Sequence, residues 1–282
     1  MNIFDAFLLG IIEGITEFLP VSSTGHMILA SHLLNISTDS FTKSFEIIIQ
    51  LGAILAVVFI YRQKVFKNFK LMLRVGVAFI PTACIGLALY SFVKRYLLDN
   101  VYVVVGSLFI GGIIIILFEK KYGKDKVMKS DSPINAEAVN KTENIDNTER
   151  KVVLDENSVS IKQALYIGLF QSIAIIPGVS RSAATIIGGQ ILGLSRTVIV
   201  EFSFLLAIPV MLAAASLDLY KHHDSFTSDQ FGLLAVGFVT AFFVALLAIK
   251  TFLSYIQKHS FTVFGVYRIV LAAVFFLVMY LM

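Results

Sequence analysis

The sequence predicts an all-α, polytopic membrane protein with six transmembrane helices and two re-entrant helical hairpins, arranged as an inverted-topology repeat. Three observations predict this fold: a strongly apolar composition, six long apolar stretches, and two apolar stretches that are interrupted by turn residues. Of the 282 residues, 57% are hydrophobic and only 15% are charged, whereas about 25% of the residues of a soluble domain are charged. The bilayer is therefore the expected solvent.

Each of six stretches approaches the roughly 20 apolar residues that are needed to cross a bilayer. They lie at 45–61, 76–92, 101–119, 199–217, 231–249 and 260–281. The single cysteine, Cys84, excludes an internal disulfide, and we expect it to be a small packing residue. Asp5, Glu13 and Glu17 interrupt the first apolar residues and no basic region precedes them, so a cleaved signal peptide is not expected.

Two further apolar stretches, 3–34 and 161–194, are each interrupted by a turn that contains proline and glycine. Each half is too short to cross the membrane, and the turn residues prevent one continuous helix. We therefore predict two re-entrant hairpins. Such a backbone is tolerated at membrane depth only where protein or a wet cavity surrounds it.

The two interrupted stretches resemble each other at an offset of 158 residues. Gly10 and Glu13 correspond to Gly168 and Gln171 at this offset. We predict a first repeat at 1–121, a polar cytoplasmic loop at 122–160 and a second repeat at 161–282. Each repeat contains one hairpin and three spans. Because three is an odd number, the second repeat is inverted, which places a site at the repeat interface near the midplane.

Lysine and arginine are distributed unequally between the two sides of the membrane. Fifteen fall at 62–74, 120–160 and 250–259, and four fall on the other side: Lys43, Lys94, Arg95 and Lys221. The positive-inside tendency places the first set in the cytoplasm and both termini outside. The first hairpin then enters from the outer face and the second from the cytoplasmic face.

Residues 124–158 are polar and lack apolar periodicity, which predicts a disordered or loosely ordered loop; a regulatory role is the alternative. Nucleic-acid binding is not expected despite the net charge of +4, because the basic residues are confined to particular loops.

Glu13 and Glu17 are four residues apart and therefore share one face of the first short helix. Carboxylates at membrane depth usually mark a functional site, and two together repel unless a cation or a shared proton joins them. Their oxygen atoms suit Mg²⁺ or Ca²⁺, so the pair is a candidate metal site. A structural pair that is capped by backbone or arginine is the alternative.

The turn after this helix is rich in hydroxyl groups: Pro20-Val-Ser-Ser-Thr-Gly-His26. Hydroxyl residues cap helices, and the next helix N-terminus attracts phosphate. Ser22 or Ser23 is a candidate nucleophile with His26 as acid or base, and Thr24 and Gly25 are candidate substrate-binding residues. Simple capping and an interior histidine with satisfied hydrogen bonds are the alternatives.

The matching turn of the second hairpin contains a permanent cation: Pro177-Gly-Val-Ser-Arg-Ser-Ala-Ala-Thr185. Arg181 is a candidate catalytic residue, because a guanidinium binds phosphate with a planar fork. Ser180, Ser182 and Thr185 are candidate substrate-binding residues. An ion pair from Arg181 to a carboxylate of the first hairpin could instead only hold the hairpins together; the two interpretations are compatible.

Other polar residues in or near apolar stretches form a second tier of candidates: Glu46, Gln50, Gln171, Glu201 and Arg268. Glu46 and Glu201 lie near predicted span ends, where an interfacial role is as reasonable as a role in the site. Arg268 lies inside the last span and is expected to pair with a carboxylate or a carbonyl. Gln171 in place of Glu13 makes the site asymmetric.

The two turns resemble the two signature motifs of the undecaprenyl-diphosphate phosphatase family of the bacitracin-resistance type. The motifs are Glu13-Gly-Ile-Thr-Glu-Phe-Leu-Pro-Val-Ser-Ser-Thr-Gly-His26 and Pro177-Gly-Val-Ser-Arg-Ser-Ala-Ala-Thr185. The segments 45–53 and 201–209 and the pair Tyr267-Arg268 are also similar to that family, so the resemblance covers nearly the whole chain.

The resemblance implies a hydrolase of the bacterial plasma membrane that removes one phosphate from undecaprenyl diphosphate for peptidoglycan synthesis. It also implies Mg²⁺ or Ca²⁺ and a site that opens to the outer face. In this scheme Ser23, or Ser22, attacks the terminal phosphorus or positions water, and His26 is the acid or base, or is itself the nucleophile. A transporter or flippase of a polyprenyl phosphate lipid is the alternative, since broken helices in inverted repeats are transporter architecture. The residues do not select an oligomeric state, and a homodimer stays open.

Overall fold

A computed structural model describes residues 1–36, 40–97, 100–127, 158–222 and 230–281 of the chain. These residues form eleven α-helices and one 3-10 turn, Ile173–Ile175. The helices are α1 (Ile3–Thr16), α2 (Ser23–Leu33), α3 (Ser40–Ile60), α4 (Arg62–Lys67), α5 (Phe69–Tyr96), α6 (Val101–Val127), α7 (Ile161–Ser172), α8 (Arg181–Ile191), α9 (Arg196–His222), α10 (Gln230–Lys258) and α11 (Thr262–Leu281). Most of the predicted loop at 122–160 lies outside the described residues.

Six of these helices are long and apolar enough to cross a membrane: α3, α5, α6, α9, α10 and α11. They confirm the six predicted spans, but several continue beyond the apolar stretch. Helix α5 begins before Lys70 and Arg74, and α6 continues to Val127, so that 124–127 is helical rather than loop. The difference has a simple cause, because lysine and arginine are good helix formers whose long side chains reach the membrane interface.

The two interrupted stretches form pairs of short helices, α1 with α2 and α7 with α8, as the hairpin prediction requires. Both second helices begin with a capping serine at equivalent positions. The Ser22 hydroxyl accepts a hydrogen bond from the Gly25 N–H at 3.4 Å, and the Ser180 hydroxyl accepts one from the Ala183 N–H at 3.2 Å. The helix pairs are compatible with re-entrant hairpins, whose entry into the bilayer stays a prediction.

Each hairpin packs against the second span of the opposite predicted repeat. Helix α1 contacts α10, where a Cβ atom added to Gly10 would lie 2.7 Å from the Gly237 carbonyl oxygen and 2.9 Å from Thr240. Helix α7 contacts α5, where the Thr82 hydroxyl donates to the Gly168 carbonyl at 3.1 Å. Thr82 and Thr240 are again 158 residues apart. The division into two repeats stays a prediction.

Three crossings, α3, α5 and α6, lie between the first hairpin and the second. An odd number of crossings is what the inverted arrangement of the two hairpins requires, and the entry of the two turns from opposite ends stays a prediction. Which end faces the cytoplasm stays a prediction from the distribution of lysine and arginine.

The prediction that Cys84 is a packing residue is wrong, since its side chain is exposed on α5. The outer face of a spanning helix is covered by lipid, so an apolar neighbourhood in the sequence does not show burial within the protein. The short helix α4, which was not predicted, connects α3 to α5 with an exposed, basic surface.

Candidate active site

The two hairpin turns meet at the carboxylate of Glu17, the residue that ends α1. One oxygen, Oε2, accepts a hydrogen bond of 2.6 Å from the Ser23 hydroxyl at the start of α2. The other, Oε1, accepts one of 2.9 Å from the Arg181 guanidinium at the start of α8. Glu17 is buried. It therefore joins a hydroxyl of the first hairpin to a cation of the second.

The Arg181 guanidinium is held by a second contact and an aromatic ring. One of its terminal nitrogens donates to the Ser203 carbonyl of α9 at 2.7 Å, and the Phe18 ring centroid lies 5.9 Å from the guanidinium carbon. The Nε atom is buried and has no hydrogen-bond partner among the described residues. Arg181 thus keeps donor capacity in the site, in addition to its pair with Glu17.

Glu13 is fully buried one helical turn before Glu17, and neither of its carboxylate oxygens has a hydrogen-bond partner among the described residues. A buried carboxylate without a partner is unfavourable by several kcal/mol. A proton or a cation bound to this carboxylate would remove the penalty. Both explanations that the sequence suggested for the glutamate pair therefore fit this geometry.

The donor chemistry of Glu13 and Glu17 fits a hard divalent cation, which prefers carboxylate oxygens. No group of three or more His, Cys, Asp or Glu side chains close enough to hold a metal ion is found in the described ranges. The remaining ligands of such a cation would have to come from hydroxyls, water or the substrate.

Ser22 and Ser23 have different environments although they are adjacent. The Ser22 hydroxyl caps α2, and the backbone of Ser22 has φ 71° and ψ 95°, a conformation that L-residues rarely adopt. Strain of this kind costs on the order of 1–3 kcal/mol and is frequent at functional sites. The Ser23 hydroxyl instead contacts a carboxylate. Only Ser23 of the two has an acid–base partner within hydrogen-bond distance.

Thr24 and Gly25, the two predicted substrate-binding residues of the first turn, lie in the first turn of α2. Thr24 is half-buried and Gly25 is buried. A Cβ atom added to Gly25 would lie 3.2 Å from the side chain of Leu108, so α2 approaches α6 closely at this point. The Thr24 hydroxyl has no hydrogen bond among the described residues, and its role in binding substrate stays a prediction.

His26 makes different contacts from those that the sequence suggested. Its Nδ1 lies 2.8 Å from the Ser22 carbonyl oxygen, and its Nε2 lies 2.6 Å from the Tyr267 hydroxyl of α11. The ring folds back along α2 because His26 follows Ser22 by one helical turn. Neither ring nitrogen is hydrogen-bonded to the hydroxyl of Ser22 or Ser23. The Ser23 hydroxyl is bonded to the Glu17 carboxylate, where the sequence suggested His26 as its acid or base.

The predicted substrate-binding hydroxyls of the second hairpin are used to hold the turn. The hydroxyls of Ser180 and Ser182 are 3.0 Å apart, and Ser182 also donates to the Leu19 carbonyl of the first turn at 2.8 Å. The Thr185 hydroxyl lies 2.6 Å from that of Ser203. A role of these three residues in binding substrate stays a prediction.

Arg268 anchors both turns through carbonyl oxygens. The fully buried guanidinium donates to Pro20 at 3.4 Å and to Gly178 at 3.0 Å, which are equivalent positions of the two turns. It also donates to Ser107 at 3.0 Å and Leu108 at 3.3 Å of α6. Of the two pairings that the sequence suggested, the structure shows the one with carbonyls.

Glu46 and Gln50 lie on α3, one helical turn apart, and both are half-buried. Glu46 accepts a hydrogen bond of 3.0 Å from the Ser31 hydroxyl of α2. Glu46 therefore connects the first hairpin to the first span, and the structure shows no direct contact with Ser23.

Gln171 and Glu201 also have partners outside the Glu17–Arg181 contact. The Gln171 amide donates to the Thr82 hydroxyl at 3.0 Å, and Glu201 forms an ion pair of 2.6 Å with Lys64 of α4. Both contacts join helices, and no described contact brings either residue to the two turns.

Two further residues contact the site although no role was predicted for them, Tyr267 and Ser203. A tyrosine or a serine in a long apolar stretch carries little chemical signal of its own. The available signal was their place in two stretches that are similar to the family, the pair Tyr267-Arg268 and the segment 201–209.

Comparison with known proteins gives a consistent result. The family model described as bacitracin resistance protein BacA matches residues 6–274, which include both turns. Three relatives are each named undecaprenyl-diphosphatase. The protein of Aquifex aeolicus (strain VF5) is 44% identical over 275 residues, 98% of each chain. That of Wolinella succinogenes is 46% identical over 98% of this chain and 97% of its own. One from Campylobacter jejuni subsp. jejuni is 48% identical over 98% of this chain and 94% of its own.

Proposed function

This chain belongs to the family of the bacitracin resistance protein BacA, and we propose on this basis that it is an undecaprenyl-diphosphatase of the bacterial plasma membrane. It hydrolyses undecaprenyl diphosphate to undecaprenyl phosphate and inorganic phosphate, which recycles the lipid carrier for peptidoglycan synthesis. The six apolar spans suit the lipid tail of this substrate, and the polar residues between the turns suit its diphosphate head.

One observation carries this proposal: the carboxylate of Glu17 binds the Ser23 hydroxyl on one oxygen and the Arg181 guanidinium on the other. A hydroxyl in this position can lose its proton to the carboxylate as it attacks phosphorus. The adjacent guanidinium can neutralise the phosphate oxygens. Acid–base and electrostatic functions are therefore adjacent, as phosphoryl transfer requires.

In the proposed reaction the Ser23 Oγ atom attacks the terminal phosphorus while its proton passes to Glu17. The bond between this phosphorus and the bridging oxygen breaks, and undecaprenyl phosphate leaves with the electron pair. Water then attacks the phosphoserine and inorganic phosphate leaves, while the proton held by Glu17 returns to the Ser23 oxygen. Arg181 exchanges its bond to Glu17 for bonds to the phosphate. The Arg181–Glu17 ion pair then describes the site before the substrate binds.

We also propose that Glu13, together with Glu17, holds Mg²⁺ or Ca²⁺. The two unpartnered oxygens of Glu13 support this proposal. When bound, the cation supplies positive charge to the diphosphate head group. Glu13 itself contributes binding and orientation, since the structure shows no hydroxyl bonded to it.

Ser22, His26 and a directly attacking water remain the alternatives to Ser23 as nucleophile. The geometry favours Ser23 over Ser22, because the Ser22 hydroxyl caps α2. It favours Ser23 over His26, because both ring nitrogens of His26 are engaged elsewhere.

The distribution of lysine and arginine supports a site that opens to the outer face, with both termini outside. A thiol-labelling experiment tests this orientation in a Cys84→Ala background. A membrane-impermeant reagent should label His32→Cys at the end of α2 in intact cells, and should label Gln63→Cys on α4 only after permeabilisation. Both residues are exposed. The opposite pattern would reverse the assignment of the two faces.

Phosphate release by the purified protein tests the activity itself. The detergent-solubilised chain should release inorganic phosphate from undecaprenyl diphosphate when Mg²⁺ or Ca²⁺ is present, although no membrane separates two compartments. A transporter or flippase would release none under these conditions. The absence of phosphate release from folded protein would therefore overturn the proposal.

A further inference from the structure

The half-exposed Tyr267 binds the buried His26 across the interface between the two repeats. The Tyr267 hydroxyl lies 2.6 Å from Nε2 of His26, and the two rings are nearly parallel, with an angle of 5° and centroids 5.5 Å apart. His26 belongs to the first hairpin, whereas Tyr267 belongs to α11, the last span. The reaction scheme above assigns no task to Tyr267.

The contacts of His26 determine which ring nitrogen carries the proton. Nδ1 lies 2.8 Å from the Ser22 carbonyl oxygen, which can only accept a hydrogen bond. Nδ1 is therefore the protonated nitrogen of the neutral ring, and Nε2 has a free electron pair. The Tyr267 hydroxyl must then donate to Nε2. The ring is fixed from both sides, with its basic nitrogen directed towards α11.

Tyr267 is well suited to fix this ring because its backbone is itself anchored. The next residue, Arg268, donates hydrogen bonds to carbonyls of both hairpin turns and of α6. A group held on a rigid helix keeps its direction better than one on a loop. Arg268 thus holds α11 against the two turns. Tyr267, the preceding residue of α11, is therefore held at a fixed distance from His26.

Packing alone does not explain the contact of Tyr267. Its side chain is 43% exposed, so burial within the protein does not force the ring against His26. Tyr166 of α7 is 42% exposed, and no hydrogen bond of its hydroxyl is found among the described residues. Equal exposure therefore does not by itself give a tyrosine a hydrogen bond, as Tyr166 shows.

We propose that His26 is the acid or base for the water that hydrolyses the phosphoserine and that Tyr267 is its positioning residue, which holds Nε2 unprotonated and in a fixed direction. The inference rests on the proposed phosphatase function and adds a residue to it. Tyr267 need not touch the substrate, because its effect passes through the imidazole ring.

Kinetics with matched variants test this inference. Tyr267→Phe removes only the hydroxyl, and Tyr166→Phe makes the same change at equal exposure. We expect Tyr267→Phe to lower kcat about tenfold, a fraction of the roughly 100-fold or more that a positioned acid–base group contributes. KM should change little, and Tyr166→Phe should resemble the wild type.

A double-mutant cycle separates an effect through His26 from a direct one. If Tyr267 acts through the ring, Tyr267→Phe should add no further loss of kcat in a His26→Gln background. Full losses in both backgrounds would overturn the inference, as would a wild-type kcat in Tyr267→Phe.

Nitrogen-15 resonance of labelled histidine gives a readout that does not depend on turnover. The His26 signals among the five histidines are assigned by their loss in His26→Gln. We expect a protonated Nδ1 and a hydrogen-bonded, unprotonated Nε2, and only the Nε2 signal should move in Tyr267→Phe. A ring protonated at Nε2 in the wild type would overturn the inference but not the phosphatase function. Failure of the wild type to release phosphate would overturn the function, whatever the resonances show.

Discussion

The first and the second hairpin begin their second helices in the same way and differ in the residue that follows the cap. Ser22 and Ser180 cap α2 and α8 through equivalent hydrogen bonds. The next residue is Ser23 in one hairpin and Arg181 in the other, and the two side chains bind the two oxygens of Glu17. Equivalent positions thus supply a hydroxyl and a cation to one carboxylate. The equivalent backbone positions therefore place the two side chains, and the difference between serine and arginine at one position provides the hydroxyl and the cation.

The same contrast holds one turn earlier in the first helix of each hairpin. Glu13 is fully buried with two unpartnered oxygens, whereas the equivalent Gln171 donates its amide to Thr82. The Gln171 side-chain oxygen is also buried without a partner among the described residues, but a neutral amide is far less costly to bury than a charged carboxylate. Glu13 therefore needs a cation or a proton, whereas Gln171 does not.

Removal of the Ser23 hydroxyl should have the largest effect. We expect Ser23→Ala to lower the rate of phosphate release by about 10³-fold or more, because a nucleophile cannot be replaced by positioning alone. The measurement is phosphate release from undecaprenyl diphosphate by purified protein.

Ser172→Ala in the second hairpin is the matched control for Ser23→Ala. Ser23 and Ser172 are both 8% exposed, but Ser172 only donates to the Gly168 carbonyl within α7. The control should keep nearly full activity. Equal activity of the two variants would contradict the assignment of Ser23 and leave Ser22, His26 or water as the attacking group.

Arg181→Lys should reduce activity by about 10²- to 10³-fold, because an ammonium cannot bind Glu17 and phosphate with a planar fork. Arg196→Lys is the control and should keep nearly full activity, since one terminal nitrogen of Arg196 contacts both carboxylate oxygens of Glu119 away from the turns. Phosphate release and thermal unfolding are measured for both. If Arg181→Lys kept the wild-type rate, the second hairpin would contribute only structure.

Exchange of the residues at the equivalent positions 13 and 171 tests the asymmetry of the site. Glu13→Gln should raise the concentration of Mg²⁺ or Ca²⁺ needed for half-maximal activity at least about tenfold, because one charged ligand is lost. The reciprocal Gln171→Glu should give no gain of activity and should lower stability, since the new carboxylate is buried. An unchanged cation dependence of Glu13→Gln would remove this residue from the proposed cation site.

The smallest expected effect concerns the scaffold that the two hairpins share. Gly168→Ala should lower the free energy of unfolding by about 1–3 kcal/mol, because the new Cβ atom would contact the Ala78 backbone. Gly76→Ala on α5 is the control, since nothing lies within 4 Å of its added Cβ. Thermal unfolding followed by far-UV circular dichroism compares the two. Equal stability of both variants would argue against tight packing of α7 on α5.

Much of the fold could be predicted because length and apolarity are local properties of the sequence. The six spans and the interruptions at Pro20 and Pro177 follow from residues that can be read one segment at a time. The helix ends could not be predicted as well, because α5 and α10 continue through charged residues beyond the apolar part. The short α4 was also missed, because no periodic apolar pattern marks its six residues.

Most members of the candidate site and the pairing of Arg181 with a carboxylate could be named from the sequence, but the partners of Ser23 and His26 could not. Spacing along the chain suggested His26 as the partner of a serine three or four residues away. The fold instead gives Ser23 to Glu17, six residues away, and gives His26 to Tyr267 in another helix. Pairing of this kind depends on how helices pack, which no single motif contains.

Arg268 binds the two turns through their carbonyl oxygens alone, which every amino acid possesses. At Gly178 the backbone still requires glycine, since its φ is +86° and an added Cβ atom would lie 2.6 Å from the Val104 carbonyl oxygen. Substitutions at other positions of the turns could therefore change the reactivity of the site while Arg268 keeps the backbone in place.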